Sequence, residues 1–370
     1  MPSLESLGWT PYFEQQLDRV RDRELSPARV VEEQRGSYRI VGEKGRHYAE
    51  LVGRLRHDAA DAGAALPCVG DWVLASLSHD SATGADPGDA RARAGVSLVH
   101  RVLERRTKFS RQAAGERTTE QVVAANVDTV FLVQSLNRDL NLRRLERYLA
   151  LLWESGAEPV VVLSKADLCA DREPLVAAVE RAARGVPVHV TSAFAPGGLE
   201  PLQPYLQPGR TVALVGSSGV GKSTIVNRLA GEELMEVRDI RDDGRGRHTT
   251  SARHLVMLPD GGMLLDTPGM RTVLLWEGEE GVGQVFEEIG ALVQSCRFRD
   301  CTHDTEPGCA VREALESGTL DPARFRSFQK LEREVRHQAR KTDIKLRQAE
   351  QRRWKRITME YRRRPDKRTI

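Results

Sequence analysis

The sequence lacks the features that mark a membrane protein or a disulfide-stabilised protein. Its 370 residues contain no run of about 18 apolar residues, so no membrane-spanning helix is expected. The N-terminal segment carries Glu5 and Trp9 but no apolar signal core, so we expect no export. The five cysteines are few and odd in number, which argues against a disulfide framework. The sequence therefore indicates a protein of the reducing cytoplasm that does not bind membranes.

Aromatic residues are also scarce, at 5% of the chain, whereas 29% are charged and 40% are hydrophobic, as in soluble globular proteins. The net charge of +3 is unevenly distributed, because residues 331–370 contain fifteen Lys or Arg and only six Asp or Glu. The rest of the chain is therefore acidic by net charge. A basic tail is typical of a solvated or disordered end or of an RNA-binding arm, and the density of Arg favours RNA.

A glycine-rich motif in the middle of the chain predicts a phosphate-binding loop. The pattern G-x-x-x-x-G-K-[ST] is matched at every fixed position by Gly216, Ser217, Ser218, Gly219, Val220, Gly221, Lys222 and Ser223. An apolar run precedes this loop and a helical pattern follows from Thr224, an arrangement that aims backbone N–H groups at phosphate. We expect Lys222 to reach the β- and γ-phosphates and the Ser223 hydroxyl to bind Mg²⁺.

A second motif, about forty residues behind this loop, predicts further contacts with the phosphates. Asp266 ends an apolar run and is expected to hold Mg²⁺ through water, which makes it part of the catalytic machinery together with Lys222. Gly269 is expected to offer its N–H to the γ-phosphate, because no side chain blocks the approach.

Between the two motifs, residues 244–250 form a segment rich in glycine and basic residues that we expect to be a mobile loop. Thr250, favoured slightly over Thr249, would complete the Mg²⁺ shell when the γ-phosphate is present. The residue after Gly269 is Met270 and not a Gln, so another group must order the attacking water. His248 is the candidate, although packing in the loop or an RNA contact explains this histidine equally well.

A guanine-reading segment is predicted before the phosphate loop. It consists of Ser164, Lys165, Ala166 and Asp167, which follow an apolar strand pattern. An Asp carboxylate there can accept both N1–H and N2–H of guanine, a donor pair that adenine lacks. Ser192 and Ala193 follow a second short strand, where a backbone N–H would meet guanine O6. Ser164 stands where this motif usually has Asn, and we expect the shorter side chain to lose one structural contact.

In ordinary GTPases the base reader follows the phosphate loop, whereas here it precedes it. The complete but rotated set of motifs predicts a circularly permuted P-loop GTPase domain of the α/β class, with a mostly parallel sheet. Before this domain, five short, turn-separated β segments predict an N-terminal β-barrel. An OB-fold is the favoured barrel, and a small SH3-like barrel is the alternative.

Three cysteines and one histidine predict a metal site after the GTPase segment. Cys296, Cys301, His303 and Cys309 are spaced C-x₄-C-x-H-x₅-C in a polar segment, and Cys₃His is a standard closed tetrahedral zinc set. No acid, base or open ligand position is evident beside these residues, so we expect one structural Zn²⁺.

In combination, these motifs resemble the ribosome-small-subunit-dependent GTPase A (RsgA) family. The resemblance covers residues 29–335 and includes the segments 105–111 and 121–128. It implies a bacterial factor of late 30S subunit maturation that binds 16S rRNA and hydrolyses GTP to GDP and phosphate. Stimulation of hydrolysis by the subunit would drive release, and we expect a monomer. Two alternatives remain open. One is an RNA-binding nucleotide switch whose hydrolysis is incidental. The other is an ATP-using RNA factor, because Ser164 departs from the Asn that is usual in the guanine-reading motif.

These expectations divide the chain into six segments. They are a lead-in (1–28), the OB-fold-like barrel (29–104), a basic linker (105–121), the permuted GTPase domain (122–278), a helical zinc-binding module (279–335) and a basic helical tail (336–370). The linker reads equally well as a solvated hinge and as a phosphate contact.

Overall fold

The structure, a computed structural model, describes residues 2–20, 24–34, 36–62, 66–78, 95–112, 120–137, 140–232, 253–266 and 279–337. Its strands are β1 (Ser26–Gln34), β2 (Ser37–Gly42), β3 (Gly45–Leu51), β4 (Trp72–Ser76), β5 (Ser97–Val102), β6 (Lys108–Gln112), β7 (Glu120–Ala125), β8 (Thr129–Ser135), β9 (Glu158–Ser164), β10 (Val188–Val190), β11 (Thr211–Val215), β12 (Arg253–Met257) and β13 (Met263–Asp266). Its helices are α1 (Pro11–Leu17), α2 (Gly53–Ala62), α3 (Leu142–Glu154), α4 (Glu173–Ala182), α5 (Lys222–Ala230), α6 (Glu279–Val285), α7 (Glu287–Gln294) and α8 (Ala310–Glu316). Residues 322–337 are also helical.

Strands β1 to β5 form a closed barrel. Their order is β1-β2-β3-β5-β4, and β4 pairs back with β1. Neighbours are antiparallel except β3 and β5, which are parallel. Alternate strand residues such as Val30, Ile40 and Val99 fill the interior. The prediction of an N-terminal barrel of OB type is confirmed. Helix α2, between β3 and β4, was not predicted, because Leu55 is its only large apolar residue.

The N-terminal lead-in is part of the core of this unit. It contains α1. Leu7, Trp9 and Phe13 are buried in one cluster with Trp72 of β4. The rings of Trp9 and Trp72 meet edge to face with centroids 4.8 Å apart, a favoured aromatic arrangement. The three aromatic residues of this cluster therefore serve packing.

Strands β8 to β13 form the GTPase sheet. Their order is β10-β9-β8-β11-β13-β12, and only β12 runs antiparallel to its neighbour in this sheet. Helix α5 packs on the sheet through Ile225, against Phe131 and Leu214. The amphipathic helix α3 buries Leu145 and Leu149 and contacts β8 and β9. The predicted mostly parallel sheet is confirmed, and the loops after the parallel strands β9, β10, β11 and β13 leave one edge of it.

The barrel and the GTPase sheet are joined strand to strand. β1 pairs antiparallel with β12, with Glu32 opposite His254 and Glu33 opposite Arg253. The result is a single 11-stranded sheet that includes both predicted domains. Residues 1–111 and 121–274 accordingly belong to one compact unit.

A buried arginine reinforces this junction. Arg29 of β1 is 1% exposed. Its guanidinium donates to the carbonyl oxygens of Leu7, Gly70 and Asn126, and it lies 5.8 Å from the ring centroid of Trp72. Burial lowers the pKa of Arg29 to about 10, so the side chain remains protonated at neutral pH. Three backbone acceptors from separate segments thus share one charged donor.

The segment predicted as a basic linker is ordered where the structure describes it. It includes β6, which pairs with β7. Arg105 forms a two-pronged ion pair with Asp71, with N···O distances of 2.7 and 2.6 Å and side chains 10% and 0% exposed. Arg106 contacts Asp128 at 2.8 Å. Neither the hinge interpretation nor the phosphate interpretation fits these two arginines, because carboxylates already neutralise both of them.

The second compact unit comprises residues 112–120 and 275–370. Its described part contains α6, α7, α8 and the helix over residues 322–337, and Ile289, Val311 and Phe325 are buried. Arg324 forms an ion pair with Glu288, which links the helix over residues 322–337 to α7. The predicted basic tail beyond residue 337 lies outside the described residues. Where the chain is described, no helix has both the length and the apolarity needed to cross a membrane.

Candidate functional site

The predicted phosphate loop connects β11 to α5, in the centre of the parallel sheet. Its first residue, Gly216, passes close to the neighbouring strand. A Cβ atom there would lie 2.2 Å from the carbonyl oxygen of Val133, so only glycine fits. Gly221 has φ of 94° immediately before α5, a left-handed conformation that also favours glycine. Steric and backbone requirements therefore account for two glycines of the motif.

Lys222, Ser223 and Thr224 form the first turn of α5, so the helix begins two residues before the predicted start at Thr224. The Lys222 ammonium donates to the carbonyl oxygens of Gly216 and Ser217 at 2.9 and 2.6 Å. The lysine is thus folded back along its own loop, beside the N-terminal end of α5. A positively charged side chain and a helix N-terminus together favour bound phosphate.

The predicted base-reading segment forms hydrogen bonds with the predicted phosphate loop. The Ser164 hydroxyl, at the end of β9, donates to the carbonyl oxygen of Val220 at 2.6 Å. The Lys165 ammonium donates to the carbonyl oxygen of Gly219 at 2.6 Å. The expected loss of one contact relative to Asn stays a prediction, but the short Ser164 hydroxyl does reach the loop backbone from the end of β9, which β8 separates from β11.

The two halves of the predicted base reader also meet. The Ser192 hydroxyl, just after β10, donates to Oδ1 of Asp167 at 2.5 Å. The Ala166 N–H donates to the Thr191 carbonyl at 3.1 Å, which brings the two segments side by side. The Ser192 N–H donates to the Gly198 carbonyl. The predicted donor to guanine O6 is therefore the N–H of Ala193.

The remaining nucleotide-site predictions fall largely outside the described residues. Asp266 ends β13, parallel to β11 at the same edge of the sheet, but its side chain is not described. His248, Thr249, Thr250 and Gly269 lie in undescribed segments. Their predicted roles in Mg²⁺ binding and hydrolysis therefore stay predictions.

The predicted metal ligands form one cluster. The ligand atoms of Cys296, Cys301, His303 and Cys309 all lie within 4.8 Å of one another. Nδ1 of His303 is 3.6 Å from Sγ of Cys296 and 3.5 Å from Sγ of Cys309. These two sulfur atoms are 3.9 Å apart. The Cys309 sulfur also accepts the Arg312 N–H at 3.4 Å, which caps α8. Four converging ligands can hold a metal ion.

Two cysteines outside this cluster, Cys68 and Cys169, are free. Cys68 is 1% exposed, and burial raises the pKa of its thiol well above the usual range. A buried, protonated thiol fits a packing role for Cys68.

Glu306 was not anticipated among the site residues. Its carboxylate accepts hydrogen bonds from the Thr302 hydroxyl at 2.6 Å and from the N–H groups of Thr302, Asp304 and Thr305 at 2.8, 3.1 and 3.1 Å. The hydrogen bond from the Thr302 hydroxyl, followed by the backbone donors, lowers the pKa of Glu306 to about 2. The sequence signal was weak, because a single acid in a polar loop is common.

Comparison with known proteins identifies the family. A family model described as RsgA GTPase matches residues 102–276. A protein of Opitutus terrae, named small ribosomal subunit biogenesis GTPase RsgA, is 47% identical over 361 residues, which cover 96% of each chain. The chain belongs to the RsgA GTPase family. A relative from Streptomyces avermitilis with the same name is 44% identical and covers 95% of this chain and 91% of its own.

Solved structures agree with the fold. The crystal structure of YjeQ from Thermotoga maritima matches with a TM-score of 0.60 and 27% identity, over 84% of this chain and 98% of that one. YloQ, described as a circularly permuted GTPase, matches with a TM-score of 0.55 and 23% identity, over 86% of this chain and 97% of that one. The chain is a GTPase of the RsgA family with the circularly permuted fold that its motif order predicts.

Proposed function

We propose that this protein is a ribosome biogenesis GTPase that binds the 30S subunit and its 16S rRNA late in small-subunit maturation. It hydrolyses GTP to GDP and phosphate, and turnover stimulated by the subunit drives its release. Relatives that match nearly the whole chain carry the name small ribosomal subunit biogenesis GTPase, which supports the partner. We expect it to act in the cytoplasm.

The observation that carries the nucleotide chemistry is the bonding of the base reader to the phosphate loop. The contacts from Ser164 to Val220 and from Lys165 to Gly219 join two segments more than fifty residues apart into one site. In this site, Asp167 accepts the N1–H and N2–H of guanine and selects GTP over ATP. Through these two hydrogen bonds, the segment that binds the base is coupled to the loop that binds the phosphates.

The phosphate end supplies charge and position. Lys222 neutralises the β- and γ-phosphates, and the loop N–H groups with those of Ser223 and Thr224 cradle them. Ser223, Thr250 and Asp266 would hold Mg²⁺, which supplies further neutralisation of the developing charge. His248 orders the attacking water in our proposal. Ordering of residues 244–250 by the subunit would then explain why turnover depends on the partner.

We propose that the Cys₃His cluster binds one structural Zn²⁺. A tetrahedral zinc ion with Zn–S of about 2.3 Å and Zn–N of about 2.0 Å separates two sulfurs by about 3.8 Å and a sulfur from a nitrogen by about 3.5 Å. The observed separations of 3.9, 3.6 and 3.5 Å support this ion. Zinc would link Cys296 at the end of α7 to Cys309 at the start of α8.

GTP turnover of the purified full-length protein tests the function. We expect slow intrinsic hydrolysis and strong stimulation by small subunits. ATP in place of GTP and large subunits in place of small ones serve as controls. Equal turnover with and without small subunits would contradict the proposed partner and leave the GTPase itself standing. Release is measured by co-sedimentation with GDP and with a non-hydrolysable GTP analogue, and we expect retention only with the analogue.

A further inference from the structure

The loop between the metal ligands Cys301 and Cys309 is organised by a carboxylate that is not itself a ligand. Glu306 receives hydrogen bonds from four donors: the N–H and hydroxyl of Thr302 and the N–H groups of Asp304 and Thr305. Three of these donors are backbone N–H groups. These three bonds therefore constrain the path of the main chain, whichever side chains the donor residues carry.

These bonds enclose a strained ligand. His303 has φ of 64°, which is unfavourable for any residue with a Cβ atom. The residues that flank it, Thr302 and Asp304, both donate backbone N–H groups to Glu306. The carboxylate therefore spans the left-handed residue and holds its neighbours in place. Without Glu306, the loop would be free to relax to an ordinary conformation, and returning His303 to the three sulfurs would then cost part of the free energy of metal binding.

Among the described residues, the ring of His303 makes one aromatic contact, an edge-to-face approach to Phe325 with centroids 6.2 Å apart. This contact restricts the ring but does not set the backbone. The aim of Nδ1 at Cys296 and Cys309 depends on the backbone of residues 302–304.

We propose that Glu306 is a positioning residue of the metal centre, which holds Cys301 and His303 in liganding geometry through the backbone of the loop between them. The inference rests on the proposed zinc site. Hydrogen-bonding partners behind the ligands of a metal centre commonly determine its affinity, and their loss lowers metal affinity about 10- to 100-fold.

The test compares zinc binding by the full-length protein and by Glu306→Gln. The amide that replaces the carboxylate has one acceptor oxygen, so it cannot receive all four donors. Zinc affinity is measured by competition with a chromogenic chelator, and zinc loss by the rate of transfer to it. We expect at least about tenfold weaker binding and faster loss. Glu313→Gln, on the exposed surface of α8, is the control for removal of one negative charge from the same unit.

A second variant and a spectroscopic measurement separate positioning from general damage. Thr302→Val removes only the hydroxyl donor and leaves the three backbone donors, so we expect a smaller loss than for Glu306→Gln. Co²⁺ substituted for zinc should give the same tetrahedral thiolate absorption bands in both variants as in the wild type, because the ligand set is unchanged. If Glu306→Gln does not fold, the affinity of Thr302→Val relative to Glu313→Gln decides.

The two proposals fail in distinguishable ways. A wild-type protein that binds no zinc overturns the zinc assignment. A wild-type protein that binds zinc, together with Glu306 and Thr302 variants that match Glu313→Gln in affinity and in release rate, overturns the role of Glu306 alone. Altered Co²⁺ bands in Glu306→Gln would mean that the carboxylate belongs to the coordination sphere, which also contradicts a positioning role.

Discussion

Replacement of Ser164 by alanine should remove a hydrogen bond that supports the phosphate loop, without removing a contact with the nucleotide. Ser164 is 4% exposed. Its hydroxyl donates to the carbonyl oxygen of Val220 at 2.6 Å and approaches that of Gln134 at 3.3 Å. Alanine removes the donor and leaves the Val220 carbonyl, one residue before Gly221, without this partner. The loss therefore falls on the segment that turns into α5.

The expected magnitude follows from the cost of a buried acceptor that loses its donor, about 1–3 kcal/mol. If the whole cost appears as weaker nucleotide binding, the Kd for GTP rises about 5- to 150-fold, since about 1.4 kcal/mol corresponds to tenfold. If part of this cost is already present in the protein without nucleotide, that part lowers the free energy of unfolding instead of the nucleotide affinity. The loss of binding free energy and the loss of unfolding free energy should therefore add to about 1–3 kcal/mol. Because the proposed base contacts of Asp167 would be intact, preference for GTP over ATP should change little.

The assay is titration of a fluorescent GTP analogue, with competition by ATP, and with chemical denaturation of the nucleotide-free protein in parallel. Ser155→Ala is the matched control, because the buried Ser155 hydroxyl also donates to a carbonyl, that of Leu152 at 2.5 Å, but at the C-terminal end of α3. It should lower stability and leave nucleotide affinity unchanged. Ser164→Thr, which retains the hydroxyl, should keep most of the affinity.

Unchanged nucleotide affinity together with an unchanged free energy of unfolding in Ser164→Ala would refute the reasoning. The bond from the hydroxyl to the Val220 carbonyl would then contribute nothing to the loop. A selective loss of GTP affinity with no effect on ATP would refute it differently, since that result would assign Ser164 to base recognition.

Three further predictions concern the same compact unit. Asp167→Asn should weaken GTP binding by about 1.5–3 kcal/mol for each charge-assisted hydrogen bond lost. It should also favour xanthine nucleotides, because their C2 oxygen accepts a hydrogen bond from an amide. Competition between GTP and XTP measures both effects, and unaltered GTP affinity would show that Asp167 does not contact the base. Lys222→Ala should lower subunit-stimulated turnover by at least about 100-fold, as for loss of one preorganised donor to the transition state. Arg228→Ala, an exposed residue of the same helix, should not, and equal turnover in the two variants would contradict the predicted phosphate contact. Arg29→Lys should destabilise the unit by about 1–3 kcal/mol in chemical denaturation, because one ammonium cannot replace the guanidinium at three separate carbonyls. The exposed substitution Arg39→Lys should have little effect, and a similarly small effect for Arg29→Lys would show that the buried network contributes nothing.

Much of the candidate site was predictable because its chemistry is carried by neighbours in sequence. The glycines of the phosphate loop, Lys222 and Ser223 form one short pattern, and backbone sterics allow few other residues at Gly216 or Gly221. The four metal ligands fall within fourteen residues, so the loop that connects them is too short to separate them widely. The order of the motifs was equally legible, and it was sufficient to predict the permuted fold.

Contacts between distant segments were not predictable. The two interpretations of the segment at Arg105 and Arg106, a solvated hinge and a phosphate contact, both missed its ion pairs, because the sequence does not show that Asp71 and Asp128 lie opposite in space. The bond from the Ser164 hydroxyl to the Val220 carbonyl was also not predicted, because it depends on the positions of β9 and β11 in the sheet. Helix α2 was missed because it has little apolar periodicity of its own.

By itself, the sequence indicated the chemistry of this protein: a phosphate loop, a predicted guanine reader, a Cys₃His set and the rotated order in which they occur. Local patterns of this kind follow from backbone geometry and ligand preference, which act over a few residues. The tertiary structure alone decided how the parts are joined: the strand pair between β1 and β12, the guanidinium of Arg29 among three carbonyls, and the bonds of Ser164 and Lys165 to the phosphate loop. Those contacts arise when packing brings remote polar groups together away from water, where each buried donor requires an acceptor.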